Sequence, residues 1–179
     1  APIMVNASED DLTYGDFTYE VNNDGSCTIT DYEGKSADVS IPSTICGHKV
    51  TKIGGAAFGY NESIKSVIVP NGVTNIDVGA FECCDNLTKV SLPDTITYID
   101  AYAFAYNEKL ADISIPNDVE YVGESAFEET KWLNDQPNGI VYAGKVAYIY
   151  KGTSWLNIKV SIKDGTKYIA DKAFAGQYG

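Results

Sequence analysis

The dipeptide Ala-Phe recurs at Ala57-Phe58, Ala80-Phe81, Ala103-Phe104, Ala126-Phe127 and Ala173-Phe174. The intervals are 23, 23, 23 and 47 residues, and the last is two periods plus one residue. Other columns move in step: Ile53, Ile76, Ile99, Val122 and Ile169; Val67, Val90, Ile113 and Val160; Val69, Leu92, Ile115 and Ile162; and Ile64, Leu87, Leu110 and Leu133. Pro42, Pro70, Pro93 and Pro116 form a further column, broken by Lys163 at the last turn. One unit of this length cannot close a core alone. Stacked units can, because each aligned column becomes a continuous apolar ridge.

Each unit is readable from its own residues. Ser66-Val67-Ile68-Val69, Lys89-Val90-Ser91-Leu92 and Asp112-Ile113-Ser114-Ile115 alternate apolar with exposed residues, which predicts a short strand with one buried face. Proline ends that strand because it cannot donate to a ladder. Ile96 and Ile99 then keep a turning path pointed inward. The stretch around Ala103-Phe104 predicts one turn of α- or 3₁₀-helix with the phenylalanine as plug. Asn61, Cys84, Asn107 and Thr130 follow each phenylalanine by three residues, where a small polar side chain or thiol satisfies backbone groups at the bend.

The pattern Leu87-x-x-Val90-x-Leu92-Pro93-x-x-Ile96-x-x-Ile99-x-x-x-Ala103-Phe104-x-x-Asn107 resembles the 23-residue BspA-like, or treponemal-type, leucine-rich repeat, from about Val39 to Phe174. The resemblance implies an α/β repeat fold: a right-handed leucine-rich-repeat solenoid with a parallel sheet on its concave side. It also implies a secreted or cell-surface bacterial protein that binds host, matrix or other surface proteins, often as part of a longer chain. The residues themselves show no catalytic motif and no cofactor site, so a binding module is expected, with a glycan-binding module or a non-catalytic targeting domain of a longer surface enzyme as the alternatives.

The ends depart from the repeat. Phe17, Tyr19 and Val21 alternate, Asn23-Asp24-Gly25 supplies a turn, and Cys27 and Ile29 continue on the return, so residues 16–32 read as a hairpin laid across the first coil. The division that follows is a tail and capping hairpin over 1–36 and a solenoid over 37–179. A second hairpin interrupts the solenoid at about 138–152, flanked by Trp132 and Trp155. Strand character resumes at Lys159-Val160-Ser161-Ile162. The last repeat carries no cap, so the native chain is expected to continue past Gly179 or to self-associate there.

Composition narrows the function. Asp and Glu number 25 against 13 Lys and Arg, a net charge of −12 that repels phosphate backbones and anionic lipid. No apolar run reaches about 18 residues, so no membrane-spanning helix is expected. The start, Ala1-Pro2-Ile3-Met4-Val5, has no basic region or apolar signal core. The chain is therefore either cytoplasmic or a mature form whose signal has been removed, and the acidic, tyrosine-rich surface leans towards export. The lone His48 weakens any histidine-based site. Cys46-Gly47-His48 reads as a turn rather than an activated thiol, and Cys83 and Cys84 are too close to bond without strain. Cys27 and Cys46 read as free thiols, with a pair as the alternative if the fold joins them. Asp10-Asp11 and Glu128-Glu129 read as solvated charges. Asn61-Glu62-Ser63 matches a glycosylation acceptor, in conflict with the inward column of Asn61.

Two exposed rows remain as candidate sites. Asp38 and Ser40, Ser66 and Ile68, Lys89 and Ser91, Asp112 and Ser114, and Lys159 and Ser161 are the outward strand positions, assigned here to protein binding. Tyr98, Tyr121 and Tyr168 each precede an inward position and form the alternative, a row for a glycan.

Overall fold

The computed structural model describes residues 12–152 and 159–175. The tail before residue 12, Trp155 and the segment after residue 175 lie outside the described residues. The chain opens as an antiparallel meander of β1 (Leu12–Tyr14), β2 (Phe17–Val21) and β3 (Cys27–Tyr32). The turn between β2 and β3 is held by Asp24, whose Oδ1 accepts from the Ser26 N–H at 2.9 Å. The expected hairpin is present with a third strand added. It stacks on the first coil, Phe17 and Tyr32 lying on Phe58 while β3 pairs in parallel with β6 (His48–Ile53). Between them come β4 (Asp38–Ser40) and β5 (Thr44–Ile45), the latter antiparallel to β6.

The repeats then lay down two strands per coil rather than one: β7 (Ser66–Ile68), β8 (Asn75–Ile76), β9 (Lys89–Ser91), β10 (Tyr98–Ile99), β11 (Asp112–Ile113) and β12 (Tyr121–Val122). Strands β4, β7, β9 and β11 pair in parallel as the expected sheet. Strands β6, β8, β10 and β12 form a second parallel sheet that continues the meander. Its strands beyond β6 are two residues long, too short for an alternating pattern to reveal. Their inward members, Ile53, Ile76, Ile99 and Val122, are completely buried.

The Ala-Phe segments are turns, not the expected helical turn. Tyr102 and Tyr106 sit in left-handed backbone, with φ of 57° and 59°, and Ala56, Tyr60, Gly79 and Cys83 repeat the arrangement. A left-handed residue every fourth position stops helix propagation. Alternate N–H groups are thereby aimed at the next coil. Phe58, Phe81 and Phe104 donate to the carbonyls of Ala80, Ala103 and Ala126, each at 2.8 Å. Ala56 and Tyr60 donate to Val78 and Glu82 in the same way, and Tyr102 and Tyr106 to Glu124 and Glu128. The turns thus form a third hydrogen-bonded wall.

The core runs along the stack. The rings of Phe58, Phe81, Phe104 and Phe127 lie over one another with centroids 4.8, 5.3 and 5.5 Å apart. Tyr32 covers one end, 5.1 Å from Phe58, and Trp132 covers the other, 4.7 Å from Phe127. Beside the rings, the buried Asn107 accepts from the Cys84 N–H and donates to the carbonyls of Phe81 and Phe104, tying adjacent coils. Cys84 and Thr130 fill the equivalent positions, donating to the Phe58 and Phe127 carbonyls. The column read as bend-satisfying residues does that work.

After Thr130, which caps a short helix α1 (Lys131–Asn134), the repeat gives way to the expected hairpin, β13 (Gly139–Ala143) and β14 (Val146–Lys151). Two contacts fit it to the stack. Gly144 turns at φ 62° so close to Pro116 and Val119 that a Cβ would fall within 2.7 Å of both. Tyr148 takes the place of the missing Ala-Phe turn, its hydroxyl accepting from the Phe127 N–H at 3.0 Å and its ring meeting Phe127 edge-on. β14 then pairs in parallel with β15 (Tyr168–Ile169).

The expected strand at Lys159-Val160-Ser161-Ile162 is not formed. Lys159, Val160 and Ser161 instead border an open depression with Ile140, Tyr142 and Tyr150 of the hairpin, the Lys163 N–H donates to the Tyr142 hydroxyl, and Ile162 is 39% exposed. Ile169, expected inward, is 47% exposed.

Phe81→Ala should cost about 3–5 kcal/mol, because two neighbouring rings hold the cavity open. Phe174→Ala, at a half-buried position, should cost less than half as much. Urea melts of both variants against the parent protein measure the difference.

Candidate functional site: two exposed strand faces

The first face is the outer side of the β4-β7-β9-β11 sheet. Pairing register places Asp38, Ser66, Lys89 and Asp112 in one row, and Ser40, Ile68 and Ser91 in the next. Within the first row Ser66 donates to Asp38 at 2.5 Å and Lys89 to Asp112 at 2.7 Å. The lysine–aspartate pair is more than half exposed on both sides, so it orders the row more than it stabilises the fold. Ile68, 53% exposed, is the apolar point between Ser40 and Ser91. Ser114 is exposed just past β11. Lys159 and Ser161 do not join this row: among the described residues the sheet ends at β11.

The second face belongs to the other sheet. Lys52, Asn75, Tyr98 and Tyr121 occupy successive rungs. The rings of Tyr98 and Tyr121 stack at 4.4 Å, nearly parallel, and Tyr168 leans on Tyr121 at 5.3 Å. The structure therefore brings the three tyrosines together. It also spends the faces between them on one another, leaving edges and hydroxyls outward. The Tyr98 hydroxyl reaches Asp100 at 3.4 Å and that of Tyr168 reaches Asp171 at 3.1 Å. Burial, then the charges of Asp100 and the neighbouring Tyr121, push the Tyr98 hydroxyl up to about 12.

Sequence reading missed the residues that flank this row: Asp77 and Asp100 on adjacent rungs, with Lys52 and Asn75. Reading the columns vertically, at the rungs before and after each inward isoleucine, was the signal that would have found them. Burial is the first cause holding the Asp77 carboxyl above its usual range. Asp100 adds to it, against Lys52 at 3.7 Å.

Cys27 and Cys84 are buried in the core, whereas Cys83 is half-buried and Cys46 exposed. Cys46 and Gly47, with φ of 50° and 91°, are the two central residues of the β5-β6 hairpin turn. The His48 ring is engaged with the Gly25 carbonyl at 2.8 Å. All four cysteines are free, and burial pushes the Cys84 thiol up to about 12 and the Cys27 thiol upward. Asn61 donates to the Gly34 carbonyl and accepts from two backbone N–H groups, so its amide is engaged within the fold. Asp10 and Asp11 lie outside the described residues. Among the described residues no group of three His, Cys, Asp or Glu is placed to hold a metal ion.

The model of the BspA type leucine rich repeat region matches residues 35–149 in six copies. No curated protein matches the chain. Among solved structures, a leucine-rich repeat protein from Bacteroides capillosus ATCC 29799 is 32% identical with a TM-score of 0.63. The match covers 69% of this chain and 94% of that one. A leucine-rich repeat protein from T. pallidum is 26% identical, TM-score 0.55, covering 66% and 67%. A leucine rich cell surface protein from Faecalibacterium prausnitzii A2-165 shares the fold at 21% identity, TM-score 0.51, covering 94% and 52%.

Alkaline pH should expose the tyrosine environments. The hydroxyls of Tyr19, Tyr98 and Tyr148 are raised from 10.0 to about 12 in the folded chain. Their contribution is whole below the unfolded value of 10.0 and is lost as pH rises through about 12. Stability measured by urea melts should therefore fall across that window. Tyr148→Phe should be less stable at neutral pH by about 1–2 kcal/mol, because the Phe127 N–H loses its acceptor, yet show a shallower alkaline decline.

Proposed function

This chain belongs to the BspA type leucine-rich repeat family, and from that premise we propose that it is a non-catalytic recognition module of a bacterial surface or secreted protein, binding another protein. The division into a cap up to residue 36 and a solenoid from 37 onward belongs to the same proposal. The observation that carries it is the row geometry of the β4-β7-β9-β11 sheet. Asp38, Ser40, Ser66, Ile68, Lys89, Ser91 and Asp112 stand in register on a backbone held by parallel ladders, with Ser114 at the edge. A pre-ordered surface loses little conformational entropy on binding. Its mixture of one exposed aliphatic with hydroxyl and charged groups suits a protein interface better than a small-molecule pocket.

A surface location is supported by the family and by the cell surface protein of the same fold from Faecalibacterium prausnitzii. The glycan alternative has less support, because the faces between Tyr98, Tyr121 and Tyr168 are turned onto one another. A sugar ring stacks on an open aromatic face.

The test is an array of purified secreted and surface-exposed host and bacterial proteins, with a glycan array beside it. Ile68→Asp should weaken a protein hit at least tenfold, about 1.4 kcal/mol, while the melting temperature stays within about 2 °C of the parent. A glycan hit that survives Ile68→Asp and disappears in Tyr121→Ala would replace the protein reading. Labelling of intact cells with an antibody to the chain checks the location.

A further inference from the structure

The tyrosine stack ends at Tyr98 on the Asn75 side. Tyr121 covers one face of Tyr98, and among the described residues no ring lies on the other. The next rung on that side is the short Asn75, and the one after it is Lys52. Lys52 and Tyr98 are thus two rungs apart, roughly 9.5 Å at ordinary strand spacing, with only an amide between them. The result is an open cleft of about 420 Å³ bounded by Lys52, Asn75, Asp77, Val78, Tyr98 and Asp100.

The charge in this cleft is unbalanced. Asp77 and Asp100 lie on adjacent rungs and oppose each other, while Lys52 reaches Asp77 only at 3.7 Å. One Asp100 oxygen accepts from the Ala101 N–H at 2.7 Å, and the other meets the Tyr98 hydroxyl at the long distance of 3.4 Å. A neutral ligand would strip water from two carboxylates and return no charge. A cation returns it, and a ring face attracts a cation as well. A guanidinium combines a flat face for Tyr98 with several N–H donors in its plane for the two carboxylates. An ammonium has no such face. The net charge of −12 adds long-range attraction for a basic partner.

We propose that the open face of Tyr98, with Asp77 and Asp100, is a binding site for an arginine side chain presented by a basic segment of a partner protein. The assignment of the arginine to a protein partner rests on the recognition role proposed above; the site for the guanidinium does not. It lies on a different sheet from the Ile68 face, so the two fail separately.

The experiment uses three probes on the whole chain, followed by NMR: N-acetyl-arginine amide, its uncharged citrulline counterpart and methyl β-D-glucopyranoside. The arginine probe should shift the resonances of Asn75, Asp77, Tyr98 and Asp100 saturably. Its own δ-methylene protons should move upfield under the Tyr98 ring current. Asp77→Asn, Asp100→Asn and Tyr98→Leu should each weaken it at least about fivefold, and Tyr98→Phe should keep it. Salt raised from about 50 to 500 mM should weaken it further. Saturable glucoside binding without arginine binding would overturn the proposal in favour of a sugar. Shifts spread over the acidic surface and insensitive to Asp77→Asn would overturn it as unspecific attraction. A protein partner that is lost with Ile68→Asp but binds Tyr98→Leu and Asp77→Asn normally would leave the recognition role standing and remove the arginine from it.

Discussion

The rest of the structure depends on a hydrogen bond repeated from coil to coil, the Phe N–H donating to the carbonyl of the alanine 22 residues on, at 2.8 Å in three successive coils. It demands left-handed backbone at residues such as Tyr102 and Tyr106, which favourable local propensity would not supply. The cross-coil bonds and the stacked rings together offset that cost. The same ladder fixes the 23-residue spacing between Phe58, Phe81, Phe104 and Phe127, since one extra residue there would shift donors against acceptors along the wall. An insertion is tolerated where it can replace the acceptor. The β13-β14 hairpin meets that condition with the Tyr148 hydroxyl, which takes the Phe127 N–H in place of a carbonyl.

That rigidity decides what the surface can do. Outward residues cannot choose their neighbours; they inherit them from the register. Lys89 falls beside Asp112 and neutralises it locally, whereas Asp77 falls beside Asp100 and does not. Tyr98, Tyr121 and Tyr168 fall close enough to stack, which covers the faces between them and leaves Tyr98, among the described residues, with no ring on its Asn75 side. A row of aromatic residues in a solenoid therefore counts as a ligand platform only at its ends, or where the rungs are spaced widely enough to admit a ring between them.

The buried polar groups follow the same logic on the inside. Asn107 serves three backbone groups from two coils, and Cys84 and Thr130 do a smaller version of that task with one donor each. This is why the column tolerates an amide, a thiol and a hydroxyl: each can donate to the phenylalanine carbonyl at the bend. It is also why Cys84, though a thiol, is a structural residue; a group raised to about 12 by burial is no nucleophile at neutral pH.

The sequence alone determined the period, the inward columns and the first strand of each coil as far as Asp112-Ile113, the N-terminal hairpin and the inserted one. These are repeated many times or marked by turn residues, and repetition lets a weak local signal accumulate. The family followed from the same columns. Tertiary structure decided the second sheet, because Asn75-Ile76 or Tyr98-Ile99 is too short to carry a period of its own. It replaced the expected helical turn at Ala103-Phe104 with left-handed residues, since only the neighbouring coil supplies their acceptors. It left Lys159 and Ser161 out of the row that begins at Asp38, because no strand forms there and, among the described residues, the sheet ends at β11. And it placed Asp77 beside Asp100 and stacked the tyrosines, relations between residues 23 apart that exist only once the coils lie one on another.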